Sequence, residues 1–150
     1  MLILVDTNVL LRVVEPRHAQ HAEAVGAIRA NRPVGHELCL VPQIHYEFWA
    51  VATRPIAQNG LGMTTTEAEA ELERLGPPLF RLLRDERAIY EPWRELVGKH
   101  RVQGKQAHDA RLVAAMRRHS LTHLLTFNVA DFQRYPGIVL LDPNESVPAH

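Results

Sequence analysis

Four carboxylates, Asp6, Glu47, Asp109 and Asp131, occupy positions from which one reaction centre can be assembled. The first closes Met1-Leu-Ile-Leu-Val-Asp-Thr-Asn8, an apolar run ending abruptly in an acid and two small polar residues. An unbroken apolar run without alternation reads as a strand buried on both faces, as in a parallel α/β sheet. An acid just past the carboxyl end of such a strand stands where open α/β sheets place their ligands. Glu47 and Asp109 each fall about one turn into a segment that reads as a helix, and Asp131 follows a later strand. Like charges gathered at one place raise one another's pKa unless something neutralises them. A divalent cation does so. An oxygen-only donor set favours Mg²⁺ or Mn²⁺ over Zn²⁺, and such an ion activates water and stabilises a leaving oxygen. The chemistry this suggests is phosphodiester hydrolysis.

Asp6 has a plainer use. Asp-Thr-Asn ahead of Val9-Leu10-Leu11 is also good helix-capping chemistry, with a side-chain oxygen accepting an orphan N–H. The case for catalysis rests on the set of acids, and so on the elements that bring them together.

Strands are expected at Leu2–Val5, Leu38–Val41, Leu79–Leu83, His123–Phe127 and Ile138–Leu141. Helices are expected from Val9 to Val14, His18 to Ala30, Pro42 onward through Ile44, Phe48 and Val51, Pro92 to His100 and Gln106 to His119. Asn31 to Gly35 reads as a turn and Arg54–Met63 as a surface loop. Thr66 with Glu69 three residues on fits a capping box for a helix reaching about Leu75. Alternating strands and helices imply a mainly parallel sheet of about five strands with helices on both faces. In that topology Asp6, Glu47, Thr126, Asn128 and Asp131 share the carboxyl edge. Asp109 joins them if its helix starts near that edge.

The 150 residues are read as one domain, 46% hydrophobic and 23% charged, ordinary for a globular protein. No apolar stretch approaches the ~20 residues that span a bilayer, and no secretory leader is expected. The single Cys39 reads as a buried small hydrophobe; with no internal disulfide possible, a cytoplasmic location is expected. Lys plus Arg and Asp plus Glu each number 17, so the global charge does not advertise a nucleic-acid partner. Locally, seven basic residues against two acids lie between Arg94 and His119. Alone, this reads as a solvated helix face. Around a candidate ligand it would draw in a phosphate backbone, with Lys105 and Arg111 as candidate substrate contacts.

Nine histidines do not make a zinc site here. The pairs His18/His21 and His119/His123 lack third and fourth ligands at metal spacing. Trp49, Trp93 and Phe48 can stack a base, yet at helical spacing with aliphatics they read as core or dimer interface.

Val5-Asp-Thr-Asn-Val-Leu10, the Glu47 helix, Gly104-Lys-Gln-Ala-His-Asp-Ala-Arg-Leu-Val113 and Leu125-Thr-Phe-Asn-Val-Ala-Asp-Phe132 together resemble the PIN-domain family. More narrowly they resemble the VapC-type toxins of bacterial toxin–antitoxin pairs. The resemblance covers nearly the whole chain, in order. It implies a PIN-like three-layer α/β/α sandwich and an Mg²⁺- or Mn²⁺-dependent endoribonuclease acting on RNA. It also implies a homodimer, inhibited by a cognate antitoxin that inserts into or over the acidic site. It maps the catalytic acids onto Asp6, Glu47 and Asp109, and small hydroxyl positions near the metal onto Thr7 and Thr126. One departure stands out: many relatives carry an acid where this chain has Asn128. Asp131 is then the expected fourth ligand, with Asn128 holding a water or a substrate oxygen.

Two other classes compete. A receiver-type signalling domain shares the sheet and the first acid, but needs another acid at position 7, which is Thr, and a Lys after the last strand, where Asp142-Pro-Asn144 offers none. A catalytically dead PIN-like scaffold conflicts with intact acids at 6, 47 and 109.

Overall fold

Leu2–Val5 forms strand β1, and Ile3, Leu4 and Val5 are fully buried. The computed structural model describes residues 1–32 and 35–145; Pro33 and Val34 of the expected turn, and 146–150 of the expected domain, lie outside them. After β1 come α1 (Thr7–Val13), α2 (His21–Asn31), β2 (Glu37–Leu40), α3 (Pro42–Thr53) and α4 (Thr65–Arg74). Then follow β3 (Arg81–Leu82), α5 (Tyr90–Lys99), α6 (Gln106–Arg118), β4 (His123–Leu125), α7 (Val129–Phe132) and β5 (Val139–Leu141).

The sheet has five strands in the order β3-β2-β1-β4-β5, and every pairing is parallel. Leu4 aligns with Cys39 on one side and Leu124 on the other, so the strand interiors are apolar throughout. Right-handed crossovers place connections that wind one way on one face and those that wind back on the other. The helix contacts follow: α1 packs on α2 and α3, and α3 on α4, whereas α5 packs on α6 and α6 on α7. The expected parallel sheet flanked by helices is therefore present, with no antiparallel member. Its winding reverses at β1, whose neighbours are β2 and the much later β4. In α/β sheets such a reversal, here at the carboxyl ends of β1 and β4, is where ligands bind.

Local differences from expectation have local causes. α1 starts at Thr7 because Asp6 caps it, its Oδ1 accepting from the Thr7 N–H at 2.8 Å. α2 starts at His21, since the His18 Nδ1 accepts from the Gln20 N–H at 3.0 Å and holds the chain in a turn. The capping box uses Thr64 and Glu67 rather than Thr66 and Glu69. Both pairs fit the spacing, but the upstream pair closes the first turn available after the extended Thr64, and Thr66 is then already helical. β3 is shorter than expected, because the Leu79 and Phe80 N–H groups turn back onto the Gly76 carbonyl. α5 begins at Tyr90, ahead of Pro92, whose missing N–H costs nothing in a first turn. Gly104, at φ 61°, turns the chain into α6, which fixes where the helix carrying Asp109 starts.

Candidate active site

Asp6 stands at the end of β1, where the winding reverses, and is 6% exposed. Its backbone N–H continues the ladder to the Leu125 carbonyl at 2.9 Å. Its carboxylate accepts from the Thr7 N–H and, at 2.9 Å, from the Thr126 hydroxyl across the β1–β4 boundary. Asn8 is the strap: its amide donates to Thr126 Oγ1 at 3.2 Å and to Asp6 Oδ2 at 3.4 Å, while its carbonyl accepts from the Phe127 N–H at 3.2 Å. The Asn128 N–H donates to Thr126 Oγ1 at 3.0 Å. Asp6 is thus a helix cap and a member of the acid group at once.

Glu47 is set from two sides. The Thr7 hydroxyl donates to Oε2 at 2.8 Å and the Gln43 amide donates to Oε1 at 2.8 Å. Gln43 and Glu47 are i and i+4 on α3 and share a face. The same Gln43 nitrogen donates to the His108 carbonyl at 2.8 Å, and its oxygen accepts from Arg111 at 3.2 Å. Arg111 also pairs with Asp85 at 3.2 Å. The buried Gln43 therefore ties α3 to the first turns of α6, where Asp109 lies.

The electrostatics tie the acids to one another. Burial pushes Asp6 up to about 6, with Glu47 and Asp131 adding to the rise and the Thr126 and Thr7 hydrogen bonds opposing it. Burial pushes Asp109 up to about 7, helped by Asp6, Asp131 and Glu47 and opposed by Lys105. Glu47 and Asp131 act on both Asp6 and Asp109, and Asp6 acts on Asp109, so the ends of β1, α3, α6 and α7 bring the four acids near one another. α7 is a one-turn helix that follows the end of β4. Asn128 sits at its cap position without a side-chain cap bond, and Asp131 lies in its first turn. Lys105 is exposed and close enough to lower Asp109, whereas Arg111 is engaged with Gln43 and Asp85.

Among the described residues no three His, Cys, Asp or Glu side chains already form a tight ligand group. Mg²⁺ does not need one: it keeps several waters and binds through one or two carboxylates. Two acids held above their ordinary pKa by burial and by neighbouring acids, in an oxygen-only surround, fit a hard divalent cation.

Two participants escaped sequence reasoning. Gln43 left one faint signal, an amide four residues before the acid on an otherwise apolar helix face. Asn8 read only as capping chemistry, because its partners Thr126 and Phe127 are more than a hundred residues away.

A doubly wound parallel sheet with acids grouped at the strand ends where its winding reverses places the chain among α/β proteins of the doubly wound class. The sequence profile of the PIN domain matches residues 3–138; the chain belongs to the PIN domain family. No curated protein matches it in sequence. Among solved structures it is similar to FitAcB from Neisseria gonorrhoeae, at 19% identity and TM-score 0.68, covering 96% of this chain and 99% of that one. It is similar to VapBC-1 from nontypeable Haemophilus influenzae, at 18% identity and TM-score 0.67, covering 97% and 100%. A third is Mycobacterium tuberculosis VapC20, described as a Sarcin-Ricin loop cleaving toxin, at 19% identity and TM-score 0.62, covering 81% and 86%. At these identities the likeness shows the fold.

Proposed function

We propose that residues 1–150 form one metal-dependent endoribonuclease domain, the toxin of a toxin–antitoxin pair. The observation that carries this reading is the grouping of buried Asp6 and half-buried Asp109 with Glu47 and Asp131 in a PIN domain, both carboxyls raised first by burial and then by neighbouring acids. Asp6 and Asp109 would hold Mg²⁺ or Mn²⁺, with Glu47 contributing directly or through water and Asp131 as the fourth acid. When bound, such an ion supplies charge for the developing oxyanion and lowers the pKa of water. The chain's own residues do the rest. Thr126, Asn8 and the Thr7 N–H fix the Asp6 carboxylate. Gln43 and the Thr7 hydroxyl fix Glu47, leaving it oriented to accept a proton from an attacking water. Lys105 adds a cation for the substrate phosphate, and Asn128 an exposed amide for a water or substrate oxygen.

The toxin assignment, with an antitoxin partner, is supported by a similar solved structure from Klebsiella pneumoniae that is named a toxin–antitoxin complex; the homodimer follows from the resemblance to VapC-type toxins. RNA as substrate is supported by the one described as cleaving the Sarcin-Ricin loop. The test is to incubate purified protein with total RNA plus Mn²⁺, and again with EDTA. Cleavage is expected in the first arm alone and is lost in Asp109→Asn. RNA intact in both arms would leave a binding scaffold as the reading.

A further inference from the structure

Beside the acid group, on the neighbouring face of α6, lies a cavity of about 470 Å³ lined by Glu86, Arg87, Ile89, Tyr90, Trp93 and Arg111 together with the α6 positions Ala107 and His108. That volume lies in the ~300–1,000 Å³ range of small-molecule sites. Its walls are mainly apolar, its rim is charged, and two aromatic rings stand in it. The Trp93 indole N–H donates to the Ala107 carbonyl at 2.8 Å, pinning the ring to the first turn of α6. Tyr90, 59% exposed, sits 6.0 Å from it at an interplanar angle of 40°, so the two rings do not close on each other by parallel stacking. A large exposed aromatic beside a concave apolar wall marks a binding surface.

Three observations select the occupant. The cavity adjoins the acid group through α6: its lining residues Ala107, His108 and Arg111 bracket Asp109 in sequence, and Arg111 and the His108 carbonyl are hydrogen-bonded to Gln43, which holds Glu47. Exposed cations flank both, since Arg87 and Lys105 enter no ion pair among the described residues, so the approach suits a polyanion. The interior suits a flat apolar ring with polar edges, with Arg87 the unengaged donor at the rim, since Glu86 is paired with Arg118 and Arg111 with Gln43 and Asp85. A phosphate chain carrying unstacked planar bases combines these properties, and single-stranded RNA is recognised by splaying such bases onto aromatic side chains. A protein segment would match the apolar wall but has no comparable need for cations on both sides.

We propose that this cavity is a base subsite: a nucleobase of single-stranded RNA close to the scissile phosphate stacks on Tyr90, against the fixed Trp93, while Arg87 and Lys105 hold the adjoining phosphates. The inference rests on the ribonuclease reading. It makes Tyr90 a substrate-binding residue outside the acid group.

The chain has two tryptophans, so in a Trp49→Phe background Trp93 reports alone. In metal-free buffer, a short single-stranded oligoribonucleotide and the four 5′-mononucleotides are titrated against its fluorescence. A saturable change is expected, with the preferred mononucleotide identifying the base. Tyr90→Ala should weaken binding roughly 5- to 150-fold, the ~1–3 kcal/mol of one base–aromatic stack, and Tyr90→Phe should retain it. With Mn²⁺, Tyr90→Ala should raise KM for cleavage by a similar factor and spare kcat. Tyr90→Ala binding and cleaving as wild type, or Trp93 responding to self-association or a protein partner but not to RNA, would overturn the subsite and leave the nuclease reading standing. Nucleotide binding that Tyr90→Ala abolishes, in a wild type that cuts no RNA, would support the subsite and fell the nuclease reading instead.

Discussion

Individual residues at the site serve two masters. Asp6 caps α1 and belongs to the acid group, and Thr7 both fills that helix's first position and orients Glu47. The signs of the pKa shifts give the consequence. Asp6 and Asp109 lie above their ordinary value of 3.8, at about 6 and about 7. A raised folded pKa means stability that is present at low pH and is lost as pH rises through the folded value. Metal-free protein should therefore melt at progressively lower temperature as pH climbs from about 4 to about 7, and level off above that. Asp109→Asn should flatten that profile and raise the melting temperature at pH 8 while abolishing cleavage. An unchanged pH profile would remove the charge-repulsion account. The fourth acid is tested by metal dependence. If Asp131 is a ligand, Asp131→Ala needs more Mn²⁺ for half-maximal activity, and Asn128→Asp needs less if that exposed position faces the ion. Activity curves against Mn²⁺ that coincide with wild type would leave Asp6, Glu47 and Asp109 as the whole site.

At the scale of elements, α3 and α6 must hold their mutual position for Glu47 to face Asp109, and Gln43 is the tie. Removing its amide leaves the His108 carbonyl and one Glu47 oxygen without that donor. Unsatisfied buried polar groups cost ~1–3 kcal/mol each. Gln43→Leu should therefore lower stability, measured by urea unfolding, and reduce kcat more than the fold loss explains. Wild-type kcat would show that Glu47 needs no holding. The α4 cap gives a contrast far from the site. Thr64→Ala should cost about 1 kcal/mol with activity unchanged, and Thr66→Ala much less. The sequence alone pointed to the later pair, since three successive threonines precede Glu67 and Glu69 and spacing cannot choose between registers. The strands were legible because burial on both faces writes an unbroken apolar run. β3 was overread because Leu79 and Phe80 are apolar for the core beneath a turn, not for the sheet. The acids Asp6, Glu47 and Asp109 were legible from their place relative to those strands. Gln43 and Asn8 were not, because an amide's role is set by whichever distant group it meets.

The whole molecule places its acids at the one point where the winding of the sheet reverses, between β1 and β4. There the ends of two adjacent strands lead into helices on opposite faces, the place where sheets of this kind put their ligands. Burial there, more than the neighbouring acids, raises Asp6 and Asp109, so affinity for a cation should depend on pH across the same range. Ligating carboxylates must be deprotonated, and binding the ion releases their protons. At pH 8 both acids are charged before metal arrives; at pH 5.5 each lies below its folded pKa and the ion must displace protons. Mn²⁺ binding only to the folded state stabilises by about 2.7 kcal/mol at a hundredfold excess over its dissociation constant. The rise in melting temperature with millimolar Mn²⁺ should thus be large at pH 8 and much reduced at pH 5.5. In Asp109→Asn it should shrink at pH 8 as well. Equal shifts at the two pH values would place the ion on groups other than these acids. No shift at either would mean that the site does not bind Mn²⁺ ahead of substrate.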